Sequence, residues 1–269
     1  MSSSEKDYDN VKQLTRERVG LDTLERYTGS LIADFQDYIL LTNYTLYLQW
    51  FAQHYSMPIL QGSVMQTCHH KEQRISMINF NVGSPTAALI IELLSFIKPK
   101  AVLMLGLCGG LRENYAVGHY FNPIAAIREE GTSDAYLPKR CPSLSSFVIQ
   151  RYVCKELEYQ HLKYHNGVIH TTNVRFWEFN DHFCKMLSDE RAQAIDMECA
   201  TLFTVGFARL VPVGALMLIS DLPLNSDGIK TNESSKHFFD TYKEQHIKTG
   251  VSVLNRMQKD EENGFHYNF

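Results

Sequence analysis

The sequence predicts an α/β protein folded as a single domain, a mixed sheet flanked by helices. Two apolar runs of strand length, AVLMLGLCGG and VPVGALMLIS, carry no alternation and suit strands buried on both faces. Helix-period segments alternate with such runs along the chain, the pattern of a sheet covered on both sides. Repeats, low-complexity tracts and Pro/Gly-rich linkers are absent, which favours one domain over residues 21–260. Residues 1–20 read as a polar N-terminal arm and 261–269 as a C-terminal tail.

The elements follow in order. Asp34 to Gln53 is aromatic-rich and almost continuously apolar, and reads as a buried helix. Arg74 to Val82 (RISMINFNV) alternates and predicts a strand. Gly83-Ser84-Pro85 opens a helix, with Ser84 as its cap and Pro85 in its first turn, ending before Lys98-Pro99. AVLMLGLCGG is a strand closed by a tight glycine turn. Gly118 to Ile127 is a further strand, Ser143 to Lys163 a helix and Gly167 to Thr172 a short strand. Ala194 to Leu210 reads as a helix capped by Asp196, Val211 to Ser220 as a buried strand, and Ser234 to Met257 as the closing helix.

Composition excludes several classes. A formal net charge of -4 on 269 residues argues against a protein that coats nucleic acid. The six cysteines are scattered without a C-x-x-C pair, as expected for reduced thiols in a cytoplasmic protein. The polar start lacks a signal-peptide core, and no apolar run approaches the roughly 20 residues of a membrane span. Phosphate-loop, nucleophile-elbow and dinucleotide fingerprints are missing from the sequence. His69-His70 after Cys68 lack partners at metal-ligand spacing and read as surface loop residues, so neither metal nor cofactor is expected.

In a covered sheet, ligands sit beyond the carboxyl ends of the strands, so the residues just after each run matter most. Asp221 follows VPVGALMLIS directly. At the mouth of a buried strand its carboxyl can serve as a general acid, or it can cap the turn before Pro223. Glu198, in AIDMECATLF, lies on an apolar face with Ile195, Leu202 and Val205. A buried glutamate needs a partner there, either a sugar diol or an internal donor. Gly109, in Leu107-Cys108-Gly109-Gly110, offers backbone to a ligand or makes an ordinary turn. Phe176-Trp177 suits a stacking wall for a flat base, or plain core.

The succession NFNVGSPTAALIIELL, LMLGLCGGL, AIREEGTSDAYLP, AIDMECATLF and LISDLPL resembles the nucleoside phosphorylase superfamily of the hexameric type. ERYTG, YILLTNY, GLCGGLRE, Thr171-Thr172-Asn173 with Trp177-Glu178, and SDLPL followed by Gly228-Ile229-Lys230 are similar to the AMP nucleosidases within it. That resemblance implies a nucleoside phosphorylase-like catalytic domain that hydrolyses AMP to adenine and ribose 5-phosphate. The alternative it leaves is a phosphorylase or nucleosidase acting on unphosphorylated purine nucleosides. Longer AMP nucleosidases carry an N-terminal regulatory domain, for which this chain has no room.

Carried over residue by residue, the resemblance implies that Glu198 holds the ribose hydroxyls with Met197 packed beneath the sugar. Asp221, next to Ser220, assists purine N7, and Phe176 and Trp177 line the base pocket. Where the phosphorylases place a phosphate-binding arginine this chain has Met104, and Leu107 replaces a serine or threonine. Both departures favour water over free phosphate. Arg26, Arg74, Arg112, Arg128 and Lys230 are the candidate ligands of the 5′-phosphate. The resemblance also implies a homohexamer, with Arg74 able to act in a neighbouring subunit's site.

Overall fold

The computed structural model describes residues 3–225, 228 and 232–263. Strand β1 (Tyr38–Thr42) lies parallel to both β4 (Ile75–Asn79) and β5 (Ala101–Gly110). Outside β4, β3 (Gln66–His70) and the short β2 (Leu60–Gln61) complete that side in antiparallel sense. On the other side β5 pairs in parallel with β10 (Val213–Asp221). From β10 the pairing runs to β6 (Tyr120–Glu129), to β8 (Tyr164–Thr172), to β9 (Ala194–Asp196) and back to β5. These five strands close into a ring, and the two-residue β7 (Ser143–Leu144) adds to β6.

Helices cover the sheet. On one face α3 (Ser84–Leu94) and α6 (Cys199–Arg209) pack together over a core that includes Ile90, Leu94, Phe203, Met104 and Met217. On the other, α2 (Thr45–His54), α4 (Phe147–Tyr159) and the closing α7 (Asn232–Glu262) enclose Tyr47, Phe51, Leu103, Leu105, Ile247 and Leu254. All of β1 and β5 is buried, so their sequences are apolar throughout instead of alternating. Helix α5 (Asp181–Asp189) sits beside a third, smaller cluster around Trp177 and Leu187. Among the described residues no helix is long and apolar enough to cross a membrane. All six cysteines are free.

Several sequence expectations need correction. The run from Asp34 to Gln53 is two elements, the fully buried β1 and the half-buried α2, whose apolar residues follow so closely that continuity cannot tell strand from helix. The polar N-terminus is helical, α1 (Ser3–Thr28), and is held by an Arg16–Glu92 ion pair. Gly20 lies in mid-helix because a Cβ there would meet the Phe96 ring at 2.2 Å. The glycines after AVLMLGLC do not turn. Gly109 and Gly110 continue β5 and pair with Ile195 and Ala194. Ala194–Asp196 is therefore strand, and α6 starts only at Cys199.

Ser84 does not cap α3. Gly83 occupies that position, and the Ser84 hydroxyl donates instead to the Met197 carbonyl at 2.7 Å. Ser143-Leu144 is the strand β7, so the helix expected from Ser143 begins at Phe147. His69 and His70 belong to β3 instead of a loop. Half-buried His69 bridges the Ser76 and Ser30 hydroxyls at 2.8 Å each, and partial burial pushes its pKa down to about 4. Among the described residues no cluster of three or more His, Cys, Asp or Glu side chains is placed to hold a metal.

Candidate active site

The carboxyl ends of β1, β4, β5 and β10 point the same way, and one cavity opens where they end. Its wall is formed by Asn43 and Tyr44 after β1, Val82 after β4, and Leu107, Cys108 and Gly109 of β5. Ser220 and Asp221 close β10, and β9 with its exit contributes Ile195 to Glu198. The remaining side comes from Thr172 and the segment after β8, including Arg175, Trp177 and Glu178.

Glu198 is only 3% exposed. It sits between β9 and α6, where the chain must turn, and its backbone N–H donates to Asp196 Oδ2 at 3.1 Å. Its carboxylate accepts the Gly83 N–H at 2.7 Å and a bond from the Asn43 side chain. Gly83 has φ +103°, a conformation other residues rarely take, and that conformation directs its amide at Glu198. Burial, then the nearby Asp196 charge, raises the Glu198 pKa to about 7 against these donors. Asn43 Oδ1, beside it, is buried and has no hydrogen-bond partner.

Asp196 is a structural carboxylate. One oxygen accepts Thr171 Oγ1 at 2.6 Å, and the other accepts the Glu198 and Cys199 amides, at 3.1 and 2.7 Å. It thus satisfies amides at the entry to α6 from the end of a strand, while Glu198 occupies the N-cap position expected for Asp196. Burial raises its pKa despite those donors. The Thr171 hydroxyl oxygen also accepts the Ala200 amide at 2.9 Å, so β8, β9 and α6 are fastened together directly behind Glu198.

Asp221 stands at a β-bulge. The β10–β5 register shifts between Ile219 and Asp221, which places Asp221 opposite Gly109. A bulge re-aims side chains, and here it brings Ser220 and Asp221 both to the cavity. The Ser220 hydroxyl donates to Asp221 Oδ1 at 2.5 Å. Tyr44 links the two acidic walls. Its pKa is raised by burial first, then by the charges of Glu198 and Asp221. A single phenol therefore senses both carboxylates.

Residues 32–255 match the phosphorylase superfamily. This chain belongs to that superfamily. Among its relatives is an AMP nucleosidase of Escherichia coli K12, 28% identical over 285 residues that cover 89% of this chain and 59% of the relative. The chain thus spans about six-tenths of the length of that curated relative. The solved AMP nucleosidase of Bacteroides thetaiotaomicron is 39% identical with a TM-score of 0.82, covering 92% of this chain and 99% of that one. A uridine phosphorylase structure from Vibrio fischeri shares the fold at 20% identity, TM-score 0.74, with 84% and 93% covered.

In this phosphorylase-superfamily chain one cavity brings together Glu198, Asp221, Met197, Ser220, Gly109 and Trp177 from the sequence-predicted set. Trp177 is chiefly core, packed with Leu111, Leu187 and Ile195, and only part of it reaches the cavity. Phe176 does not line it. It is 72% exposed, with the Arg175 guanidinium over its ring. Met104 is enclosed in the core, so the substitution there does not face the cavity, whereas Leu107 does.

The candidate phosphate cations lie elsewhere within the chain. Arg74 precedes β4, at the amino end of the parallel strands, where it pairs with Asp37 and, at 3.9 Å, with Glu262. Arg26 is exposed at the end of α1 beside Asp22. Arg112 donates to the Arg191 carbonyl at 2.6 Å. Arg128, its side chain 5% exposed, is spent on Ser133, Asp134 and the Leu137, Pro138 and Cys141 carbonyls, clamping that loop. Lys230 lies outside the described residues.

Asn43, Tyr44, Arg175 and Glu178 were missed. The first two follow β1, whose misreading as helix hid its carboxyl end. Arg175 and Glu178 flank the aromatic pair that drew attention to this segment, and their spacing of three gives an ion pair at 3.0 Å.

Proposed function

We propose that this chain is an N-glycosidase that hydrolyses AMP to adenine and ribose 5-phosphate. One observation carries the reading: a buried carboxylate held by backbone and amide donors, Glu198, shares a cavity with a carboxyl at a strand mouth, Asp221. The similarity to two AMP nucleosidases supports the choice of AMP.

Breaking an N-glycosidic bond sends the electron pair of the C1′–N9 bond into the base and leaves positive charge on the sugar. Both changes need help. Asp221 donates a proton toward purine N7, which makes the base a neutral leaving group. The ribose hydroxyls donate to Glu198 and to the unpartnered Asn43 Oδ1, and the Glu198 charge stabilises the oxocarbenium-like sugar. Met197 packs against the sugar and Trp177 against the base. Water then attacks C1′ and loses a proton to solvent. The apolar Leu107 in the cavity wall offers free phosphate no hydrogen bond, which favours hydrolysis.

Arg175 is the one cation among the described residues lining the cavity. This supports a homo-oligomer, which we take to be a hexamer, in which a neighbouring copy adds cations for the 5′-phosphate, with Arg74 as the candidate. The free thiols fit a reducing, cytoplasmic setting. The deciding experiment incubates the purified protein with AMP, with and without inorganic phosphate. Adenine and ribose 5-phosphate formed without phosphate support the reading. Adenine formed only with phosphate makes the protein a phosphorylase.

A further inference from the structure

Glu178 follows β8 in the short helical turn Trp177–Phe179. Its side chain is only 5% exposed, yet it lines the cavity. One carboxylate oxygen accepts Arg175 Nη1 at 3.0 Å. The other is buried and has no hydrogen-bond partner. An unsatisfied buried carboxylate oxygen costs about 1–3 kcal/mol or more, and one that lines a cavity is placed to take a donor from a ligand.

We propose that Glu178 selects the base by accepting a hydrogen bond from the exocyclic amine of a 6-aminopurine. The proposal rests on the AMP reading of the same cavity. A carboxylate only accepts, so its partner must be an N–H or O–H donor. The 6-amino group of adenine is such a donor, on the edge of the purine that also carries N7, the atom assigned to Asp221. The 6-oxo group of hypoxanthine is an acceptor and meets Glu178 with lone pair against lone pair. Sites that hydrogen-bond one substituent reject the analogue that cannot reciprocate far more strongly than apolar pockets do. The Arg175 guanidinium holds the carboxylate in place from the opposite oxygen, as a positioning group.

Two measurements test this. The first compares kcat/KM on AMP and IMP for the wild type and Glu178→Gln. Gln keeps an acceptor for Arg175 and presents an amide N–H to the base. AMP turnover should fall about 10- to 100-fold, with IMP rising relative to it. An unchanged AMP-to-IMP ratio overturns the proposal. The second needs no variant and no turnover: binding of adenine and hypoxanthine to the wild-type protein by calorimetry. Adenine should bind at least about 10-fold more tightly, and equal affinities overturn the proposal. A protein that hydrolyses neither nucleotide yet prefers adenine sinks the AMP reading and keeps the 6-amino pocket. One that hydrolyses AMP while binding both bases alike does the reverse.

Discussion

The Gly83 amide donates to the Glu198 carboxylate at 2.7 Å, joining the start of α3 to the start of α6. The two residues are 115 apart in sequence, and each sits at a helix entry. Gly83 provides a backbone shape other residues resist, while Glu198 is a charge the fold would be more stable without. The bond holds that charge in position, and the elevated pKa shows that it compensates only partly for burial.

Glu198→Gln should therefore stabilise the protein at alkaline pH while disabling it. The folded pKa of about 7 lies above the ordinary 4.5. Between those values the folded chain holds a proton that the unfolded chain has lost. Ionising Glu198 therefore costs stability in full above pH 7 and not at all below 4.5. Removing the charge should gain on the order of 1–3 kcal/mol at pH 8 and nothing at pH 4. Thermal melts of both proteins across that range check it. A melting temperature unchanged at pH 8 would contradict the buried charge. The wild-type kcat/KM should fall below about pH 7, as Glu198 takes up its proton.

Asp221→Asn should leave the fold intact and cut turnover by about 100- to 10,000-fold, the usual range for losing a general acid. KM should move much less. A rate constant near the wild-type value would return Asp221 to the turn-capping role that its position before Pro223 also allows.

The sequence conveyed the layered α/β plan because buried parallel strands such as β5 and β10 must be apolar throughout, and helices must separate them. It failed where that same continuity ran through two elements, as in β1 with α2, and where three residues formed a strand ahead of a helix, as at Ala194–Asp196. Asp221 and Glu198 were legible because a carboxyl amid apolar neighbours stands out in one dimension. Tyr44 and Asn43 were not, since a tyrosine and an asparagine after a strand carry no periodic signal. The candidate arginines Arg26, Arg74, Arg112 and Arg128 lie away from the cavity of the same chain, and this was illegible for a related reason. Proximity to matching segments says nothing about which strand end a side chain occupies, and Arg74 lies at the amino end.

Arg128 provides a direct test of that last point. Its guanidinium binds three carbonyls, a hydroxyl and Asp134, all in the loop that follows β6. Arg128→Ala should release residues 133–141 and lower stability by about 1–3 kcal/mol, since three carbonyls, a hydroxyl and a half-buried carboxylate lose their donor together. Limited proteolysis should then cut within that loop. A raised KM for AMP with an unchanged melting temperature would instead restore Arg128 as a phosphate ligand.

His246 should make the protein acid-sensitive from within its core. The ring is fully buried. Tyr47 Oη lies 2.8 Å from Nδ1, and the Leu216 carbonyl lies 2.9 Å from Nε2. The neutral tautomer with its proton on Nε2 satisfies both, Nε2–H donating to the carbonyl and Nδ1 accepting from the phenol. Burial lowers its pKa from 6.5 to about 4. An unfolded chain therefore binds a proton below pH 6.5 that the folded chain refuses until pH 4, so stability drains away across that window. The slope for one such group is at most about 1.4 kcal/mol per pH unit. His69, lowered to a similar value, adds to it, while protonation of Glu198 opposes both. His246→Gln, which can still donate to Leu216 and accept from Tyr47, should flatten the decline between pH 6.5 and 4 while costing about 1–2 kcal/mol at pH 7. Denaturant titrations at half-unit pH intervals measure both numbers. A slope identical to the wild type's would mean that the acid loss comes from other groups.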